Sequence, residues 1–299
     1  MKKELVIALA GNANVGKSVI FNQLTGLNQI IGNWPGKTVE RAEGILKYEG
    51  QSIRIVDLPG IYSLSAYSQE EIVSMEFIAL EKPDVVINVV DASNLERNLF
   101  LTVQLLEMHI PMVLALNQID HARKKGIELD TEALSEALGI PVVETVGIKA
   151  KGLDELMRVA LHTAKAGRES VTRDYDLYKE KLLKYRPEIS QAADRICNIL
   201  IGSNTALLKS YHPLWLALKL IEGDNYIDET VKKDSSCIKV YEQIQIEIQS
   251  LQKQYDMPLA TIVTSDRYKI VSEVAKRAEK KIRSKIVFSD LIDNITLNN

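Results

Sequence analysis

The chain has 299 residues, 46% of them hydrophobic and 26% charged, with 37 basic side chains against 40 acidic ones and a net charge of −3. That length predicts two domains of ordinary size, and the balanced charge excludes the basic footprint of a non-specific nucleic-acid binder. The only cysteines, Cys197 and Cys237, lie outside any CxxC or Cys/His cluster, which excludes a disulfide scaffold or thiolate metal site and predicts reduced thiols. The opening MKKELVIALAG has too short an apolar run for a secretory leader and reads as a first strand. No run of about 18 apolar residues occurs, so a soluble, cytoplasmic chain is expected.

In chain order, β-branched runs predict strands at 5–9, 43–48, 53–57, 85–90, 112–117 and 141–145. Helical spacing predicts helices at 17–24, 68–80, 95–108, 131–137 and 153–164. This alternation implies an α/β fold, a mostly parallel sheet with flanking helices. Residues 43–57 read as a hairpin turning at Glu49-Gly50-Gln51, which adds one antiparallel strand. Beyond Gly167 only two of the fifteen glycines remain and helical spacing takes over. Ile238, Tyr241, Ile244, Ile248, Leu251 and Tyr255 share one helix face, and Tyr268, Val271, Val274 and Ala278 share another. Asp256-Met257-Pro258 separates the two helices, because proline suits a helix start and not its interior. The expected division is a nucleotide-binding domain over 1–167, an all-helical domain over 168–292 and a tail over 293–299.

Between the first strand and the first helix stands Gly11-Asn12-Ala13-Asn14-Val15-Gly16-Lys17-Ser18, a GxxxxGK[ST] loop. The glycines let backbone N–H groups wrap phosphate oxygens at the amino end of a helix, which Val19 continues. Lys17 would reach the β- and γ-phosphates, and Ser18 would place its hydroxyl on Mg²⁺. Asp57-Leu58-Pro59-Gly60 ends a later strand, where Asp57 can hold Mg²⁺ through a water and Gly60 can donate its N–H to the γ-phosphate. Asn117-Gln118-Ile119-Asp120 follows a buried strand on the same sheet edge. Asp120 would accept guanine's ring N–H and exocyclic amine, which selects GTP and GDP over adenine nucleotides. Asn117 would brace the loop and contact the base edge. Where GTPases commonly carry NKxD, this chain has Gln118, which predicts weaker binding and faster release. The last loop, commonly SA[KL], reads Val146-Gly147-Ile148 and offers backbone N–H groups without a serine hydroxyl.

Several stretches resemble the FeoB ferrous-iron transporters, whose amino-terminal part is a GTPase followed by a helical domain. Gly32-Asn33-Trp34-Pro35-Gly36-Lys37-Thr38-Val39-Glu40-Arg41 resembles the family's first switch, and residues 89–99, VVDASNLERNL, resemble another of its signatures. Residues 215–224 and Asp266-Arg267-Tyr268 are similar to the family in the helical half. An NxxD loop without the lysine is common there.

The resemblance implies a Ras-like P-loop GTPase that regulates Fe²⁺ uptake at the cytoplasmic face of the inner membrane. Its implied partners are its own membrane-embedded transport portion, small accessory proteins of the iron-uptake system and a possible second copy, with no nucleic acid. Gly36 and Thr38 would touch nucleotide, with the Thr38 hydroxyl joining Mg²⁺ in the GTP state. Ile61 stands where Ras-like enzymes carry a water-orienting glutamine, and the resemblance implies a K⁺ held by Asn14 instead. A plain structural asparagine is the alternative. The catalytic set is then Lys17, Asn14, Thr38 and Gly60, with Glu70 a weaker candidate for placing the water. Trp34 reads equally as a docking group or a core anchor. Lys276, Arg277, Lys280, Lys281, Arg283 and Lys285 form a basic cluster suited to a membrane surface or to a solvated helix face. His109, His121, His162 and His212 are scattered in sequence and suggest no Fe²⁺ site. A freestanding Era-like regulatory or ribosome-assembly GTPase, and a nucleotide-binding module with negligible hydrolysis, remain the alternatives.

Overall fold

A computed structural model describes residues 4–26, 29–65, 68–169 and 184–279. Its first unit runs β1 (Leu5–Gly11), α1 (Lys17–Thr25), β2 (Gln29–Asn33), β3 (Glu40–Tyr48), β4 (Gln51–Asp57) and α2 (Gln69–Glu76). It continues with β5 (Val85–Asp91), α3 (Leu95–Glu107), β6 (Met112–Asn117), α4 (Ile119–Lys124), α5 (Thr131–Leu138), β7 (Val142–Glu144) and α6 (Leu153–Glu169). The seven strands lie in the order β2-β3-β4-β1-β5-β6-β7. Strands β4, β1, β5, β6 and β7 pair in parallel, while β2 and β3 are antiparallel. The unbroken apolar runs of β5 and β6 are buried along their length because helices cover both faces of the sheet.

The chain leaves β1 toward β4 on one side and returns to β5 on the other, so the switch point falls at the carboxyl end of β1. Register brings the motifs there: Leu9 faces Asp57, Gly11 faces Val89 and Asp91 faces Asn117. Asp91 accepts from the Ser93 N–H at 2.8 Å and the Asn94 amide at 2.7 Å, so these signature residues build the turn into α3.

The hairpin forms where expected, with Glu49 (φ 46) and Gly50 (φ 73) both left-handed between paired Tyr48 and Gln51. Three features depart from expectation. Strand β2 is an exposed edge stretch whose conformation comes from pairing with β3 and not from any alternation of its own. The helix expected to reach residue 80 gives way to a π-helical turn at Phe77–Glu81, closed by left-handed Lys82. Helix α4 has six residues, too few for an amphipathic period to appear in sequence.

The second described unit is helical: α7 (Pro187–Gly202), α8 (Pro213–Glu222), α9 (Asn225–Lys233), α10 (Ile238–Gln252) and α11 (Leu259–Ala278). Prolines open α7 and α8, where a missing N–H costs nothing, and left-handed Gly223 ends α8. Helix α11 packs on α3 and α5 of the first unit, and Ala278 accepts the Asp130 N–H at 2.7 Å. One apolar core runs through both units.

A buried ionic cluster lies within this contact. Arg267 on α11 is 1% exposed and Glu107 at the end of α3 is fully buried. Arg267 Nε donates to Glu107 Oε1 at 2.7 Å and Nη2 donates to Oε2 at 2.8 Å, a two-pronged fit of guanidinium to carboxylate. The Arg267 guanidinium also bonds Glu222, and the Tyr185 hydroxyl donates to Glu107. Burial disfavours charge on Arg267, but Glu107, Tyr185 and Glu222 together hold its pKa well above the ordinary range.

Across the same contact, the His109 and His212 rings stack with centroids 3.9 Å apart, although they are distant in sequence. Burial and the neighbouring His109 push the His212 pKa down to about 3, so its imidazole is neutral at neutral pH. Among the described residues no group of three or more His, Cys, Asp or Glu side chains is placed to hold a metal, and no helix is long and apolar enough to cross a membrane. Lys276 and Arg277 are exposed in the last turn of α11, while Lys280, Lys281, Arg283, Lys285 and the 293–299 tail lie outside the described residues.

Candidate nucleotide site

The phosphate loop is built by the backbone. Gly11 (φ 156) passes so close to β5 that a Cβ there would meet Val89 O at 2.5 Å. Gly16 has φ +87, and a Cβ on it would meet Asn117 Nδ2 at 2.5 Å. Neither position admits a side chain without displacing its neighbour. Asn14 is exposed and left-handed (φ 66), turning the chain between the two glycines. Ala13 and Val15 complete the turn, and the buried Asn12 amide nitrogen has no hydrogen-bond partner among the described residues. A tight glycine-bearing turn at the amino end of a helix, with an unsatisfied amide donor, fits a multiply charged oxyanion.

Beside the cradle, the Lys17 ammonium pairs with Asp57, and the Ser18 hydroxyl donates to Asp57 Oδ2 at 3.0 Å. The motifs at 11–18 and 57–60 therefore meet. Gly60 abuts the loop, since a Cβ there would lie 3.1 Å from Ala13 Cα. Ile61 N–H donates to Gly11 O at 3.2 Å and its side chain is 4% exposed, so it belongs to the core and cannot orient a water.

Gly36 and Thr38 lie on a loop bonded to α2. The exposed Thr38 hydroxyl donates to Gln69 Oε1 at 3.2 Å, and Lys37 Nζ reaches Glu76 Oε2 at 2.6 Å. Trp34 packs edge-on against Phe77 with ring centroids 5.4 Å apart and lies under the Arg41 guanidinium. Of its two readings, the structure supports the anchor. Glu76 also accepts from Tyr226 on α9 at 2.6 Å, so a single carboxylate joins the switch loop to the helical unit. Glu70 is exposed in the first turn of α2. The capping box there uses Ser68 and Glu71 instead, and Ser63 donates to Glu71 at 2.6 Å.

The base loops close a cavity of about 410 Å³ whose lining includes Asn14, Gly16, Val19, Asn117, Gln118 and Asp120, with Val146, Gly147 and exposed Ile148 across from them. Asn117 is the brace. Its amide donates to Val15 O at 2.9 Å, and its oxygen accepts from Gly147 N–H at 2.9 Å and Thr145 Oγ1 at 3.1 Å. Gln118 Nε2 donates to Asn14 O at 3.4 Å, tying the base loop to the phosphate loop. No motif in the sequence marks Lys149, whose Nζ lies 2.8 Å from Asp120 Oδ2. Its only sequence signal was a lysine following a degenerate loop.

Replacing Gly16 with alanine is expected to force Asn117 off Val15 and to cost about 1–3 kcal/mol. A lower thermal midpoint with weaker GDP binding is the outcome sought, and parental values for both would show that the close approach is dispensable.

Residues 5–160 match the family described as "Ferrous iron transport protein B", and residues 185–280 match "FeoB cytosolic helical domain". The chain belongs to the FeoB family. The FeoB Fe(2+) transporter of Methanocaldococcus jannaschii is 39% identical over 98% of this chain and 42% of its own length. That of Escherichia coli K12 is 35% identical over 99% of this chain and 36% of its own length. A fusion of Fe(2+) transport protein A with FeoB from Porphyromonas gingivalis is 35% identical over 97% of this chain and 34% of its own. The chain thus spans about two fifths or less of these relatives' lengths. Among solved structures, a GDP-bound S. thermophilus NFeoB variant is 35% identical, with a TM-score of 0.81 over 93% of this chain and all of that one. The T. maritima FeoB cytosolic domain in apo form is 30% identical, with a TM-score of 0.75 over 93% of this chain and all of that one. Both the GTPase-type sheet and the helical unit are therefore FeoB architecture, and a freestanding Era-like GTPase is not favoured.

Proposed function

We propose that this chain binds GTP and hydrolyses it to GDP and phosphate as the cytosolic part of a FeoB-type Fe²⁺ transporter, regulating iron passage through a membrane portion on the same polypeptide. The observation that carries the reading is the meeting of Lys17, Ser18 and Asp57 beside a cradle that only glycine can form. The division into a GTP-binding domain at 1–167 and a helical domain at 168–292 is part of the same proposal. The fusion relative supports a small iron-uptake protein as an accessory partner.

In this reading the 11–18 loop and Gly60 donate N–H groups to the β- and γ-phosphates, and Lys17 exchanges Asp57 for phosphate oxygen. Ser18, Thr38 and Asp57 would hold Mg²⁺, which when bound spreads the charge developing between β- and γ-oxygens. Thr38 must give up Gln69 to join them, and that movement pulls on the adjacent Lys37 and its partner Glu76. Tyr226, bonded to the same carboxylate, would feel the change, which gives the helical unit a means of sensing the nucleotide. Hydrolysis forms a bond from a water oxygen to the γ-phosphorus and breaks the bond to the β–γ bridging oxygen. GDP keeps that electron pair, and the water's proton leaves with phosphate.

With an apolar, buried Ile61 in place of a water-orienting glutamine, help for hydrolysis has to come from other groups, such as a positive charge at the reacting phosphates. Asn14, exposed at the loop, is proposed to hold a K⁺ that supplies it. GTP cleavage is expected to run on the order of tenfold faster in K⁺ than in Na⁺ buffer, and Asn14→Ala is expected to abolish the difference. Equal rates in the two salts, or undiminished stimulation in the variant, would refute the K⁺ role and leave GTP binding untouched.

A further inference from the structure

Residues recognising the base are held by contacts that the base itself does not make, and one of these involves a side chain with no role so far. We infer that Lys149 is a positioning residue that determines base specificity: reaching Asp120 from outside the cavity, its ammonium holds the carboxylate ready for the two N–H donors of guanine. The inference rests on the reading of Asp120 as the base-recognising group.

Asp120 sits in the first turn of α4 with its two oxygens engaged by different donors. Oδ1 accepts from the His121 N–H at 3.0 Å, and Oδ2 accepts from Lys149 Nζ at 2.8 Å. Two bonds to opposite oxygens fix the carboxylate plane. A carboxylate offers about four lone-pair positions, so one on each oxygen stays open. Asp120 lines the base cavity together with His121 and Lys124, whereas Lys149 is not among the residues that line it. The ammonium bonded to Asp120 also keeps its carboxyl below the usual range, against a smaller effect of burial.

Lys149 is itself well placed. It closes a 3₁₀ turn, Gly147–Lys149, that ends at left-handed Ala150. Gly147 N–H is fastened to Asn117 Oδ1, and Val146 N–H donates to Lys151 O at 3.0 Å. The same Asn117 braces the phosphate loop, so the lysine is presented in register with the rest of the site. Position 118, the usual place for a lysine beside the base, is glutamine in this chain. Lys124 on α4 lines the cavity, and Lys149 brings a further cation to Asp120 from a different loop.

An exposed ion pair of this kind contributes little to folding. Its effect should appear on binding, where a carboxylate already held in one plane loses less freedom on meeting the base. Inosine diphosphate lacks the exocyclic amine, so it makes one bond to Asp120 where GDP makes two and demands less of the carboxylate plane. Calorimetric titration of the chain with GDP, IDP and ADP tests this in the parent, Lys149→Met, Lys149→Arg and Asp120→Ala. Lys149→Met is expected to weaken GDP about threefold to fivefold at low salt and IDP by less than about twofold. Lys149→Arg is expected to restore the parental GDP-to-IDP ratio. High salt should bring the parent toward the methionine variant, because an exposed pair is screened. An unchanged GDP-to-IDP ratio in Lys149→Met, with GDP-over-ADP selection lost in Asp120→Ala, overturns the role of Lys149 alone. An Asp120→Ala variant that still prefers GDP to ADP overturns the reading of the base site beneath it.

Discussion

Lys17→Ala is expected to weaken GDP and GTP binding at least about a hundredfold, on the order of 3 kcal/mol, when measured by calorimetry. The side chain is nearly buried, and its ammonium is held against Asp57 at the mouth of the phosphate cradle. A charge already desolvated and aimed at the phosphate position gives up little further hydration when it bonds phosphate, so its removal forfeits most of a charge-assisted contact. The variant also leaves Asp57 without its cation beside the phosphate oxygens, which adds like-charge repulsion to the loss. Lys17→Arg is expected to fail as well, because a planar guanidinium does not replace a compact ammonium at a buried position. Circular dichroism of the variants separates loss of the ligand from loss of the fold. Parental affinity in a folded Lys17→Ala protein would remove the 11–18 loop from the phosphate site.

The second large effect is expected far from the nucleotide. Arg267→Met strands the fully buried Glu107 inside the contact between the two units, while Glu222 keeps Lys219 at 3.4 Å, and breaking one side of a buried pair costs about 3–5 kcal/mol. The apparent thermal midpoint should fall on the order of 10 °C. Combining Arg267→Met with Glu107→Gln removes the arginine and the fully buried carboxylate together, leaving Glu222 on Lys219, and is expected to recover a substantial part of the loss. A single variant that melts like the parent would show that the cluster is not needed to hold the units together. Glu107 ends α3, the helix that runs back from the nucleotide edge of the sheet, so GDP affinity below the melting range should be close to parental in both variants. That separation distinguishes a structural latch from a part of the binding site.

These expectations differ in how far they could be read from the chain. The cradle was legible because its geometry is local. Glycines at positions 11 and 16, a lysine and a serine must follow one another at fixed spacing for a backbone to wrap a phosphate, and flanking β-branched and helical runs say where that turn lies. The hairpin at Glu49-Gly50 and the helix break at Pro258 were legible for the same reason, since left-handed backbone and a missing N–H are properties of single residues. Strand β2 was not legible, because its conformation is imposed by hydrogen bonds from β3.

The α/β class, the GxxxxGK[ST] and NxxD motifs, the helical second half and the resemblance to the FeoB family are thus all carried by residues near one another in the chain. Which distant side chains meet depends on the packed core. It places Lys149 on Asp120, Glu76 between Lys37 and Tyr226, His109 against His212 and Arg267 against Glu107, pairs joined across 29 to 160 positions of chain. Thr38 likewise meets Gln69 on α2, 31 positions away. The reason is physical. Backbone preference acts within a few residues, whereas a side-chain bond needs two elements packed in a particular register to within a fraction of an ångström, and that register is set by the whole core.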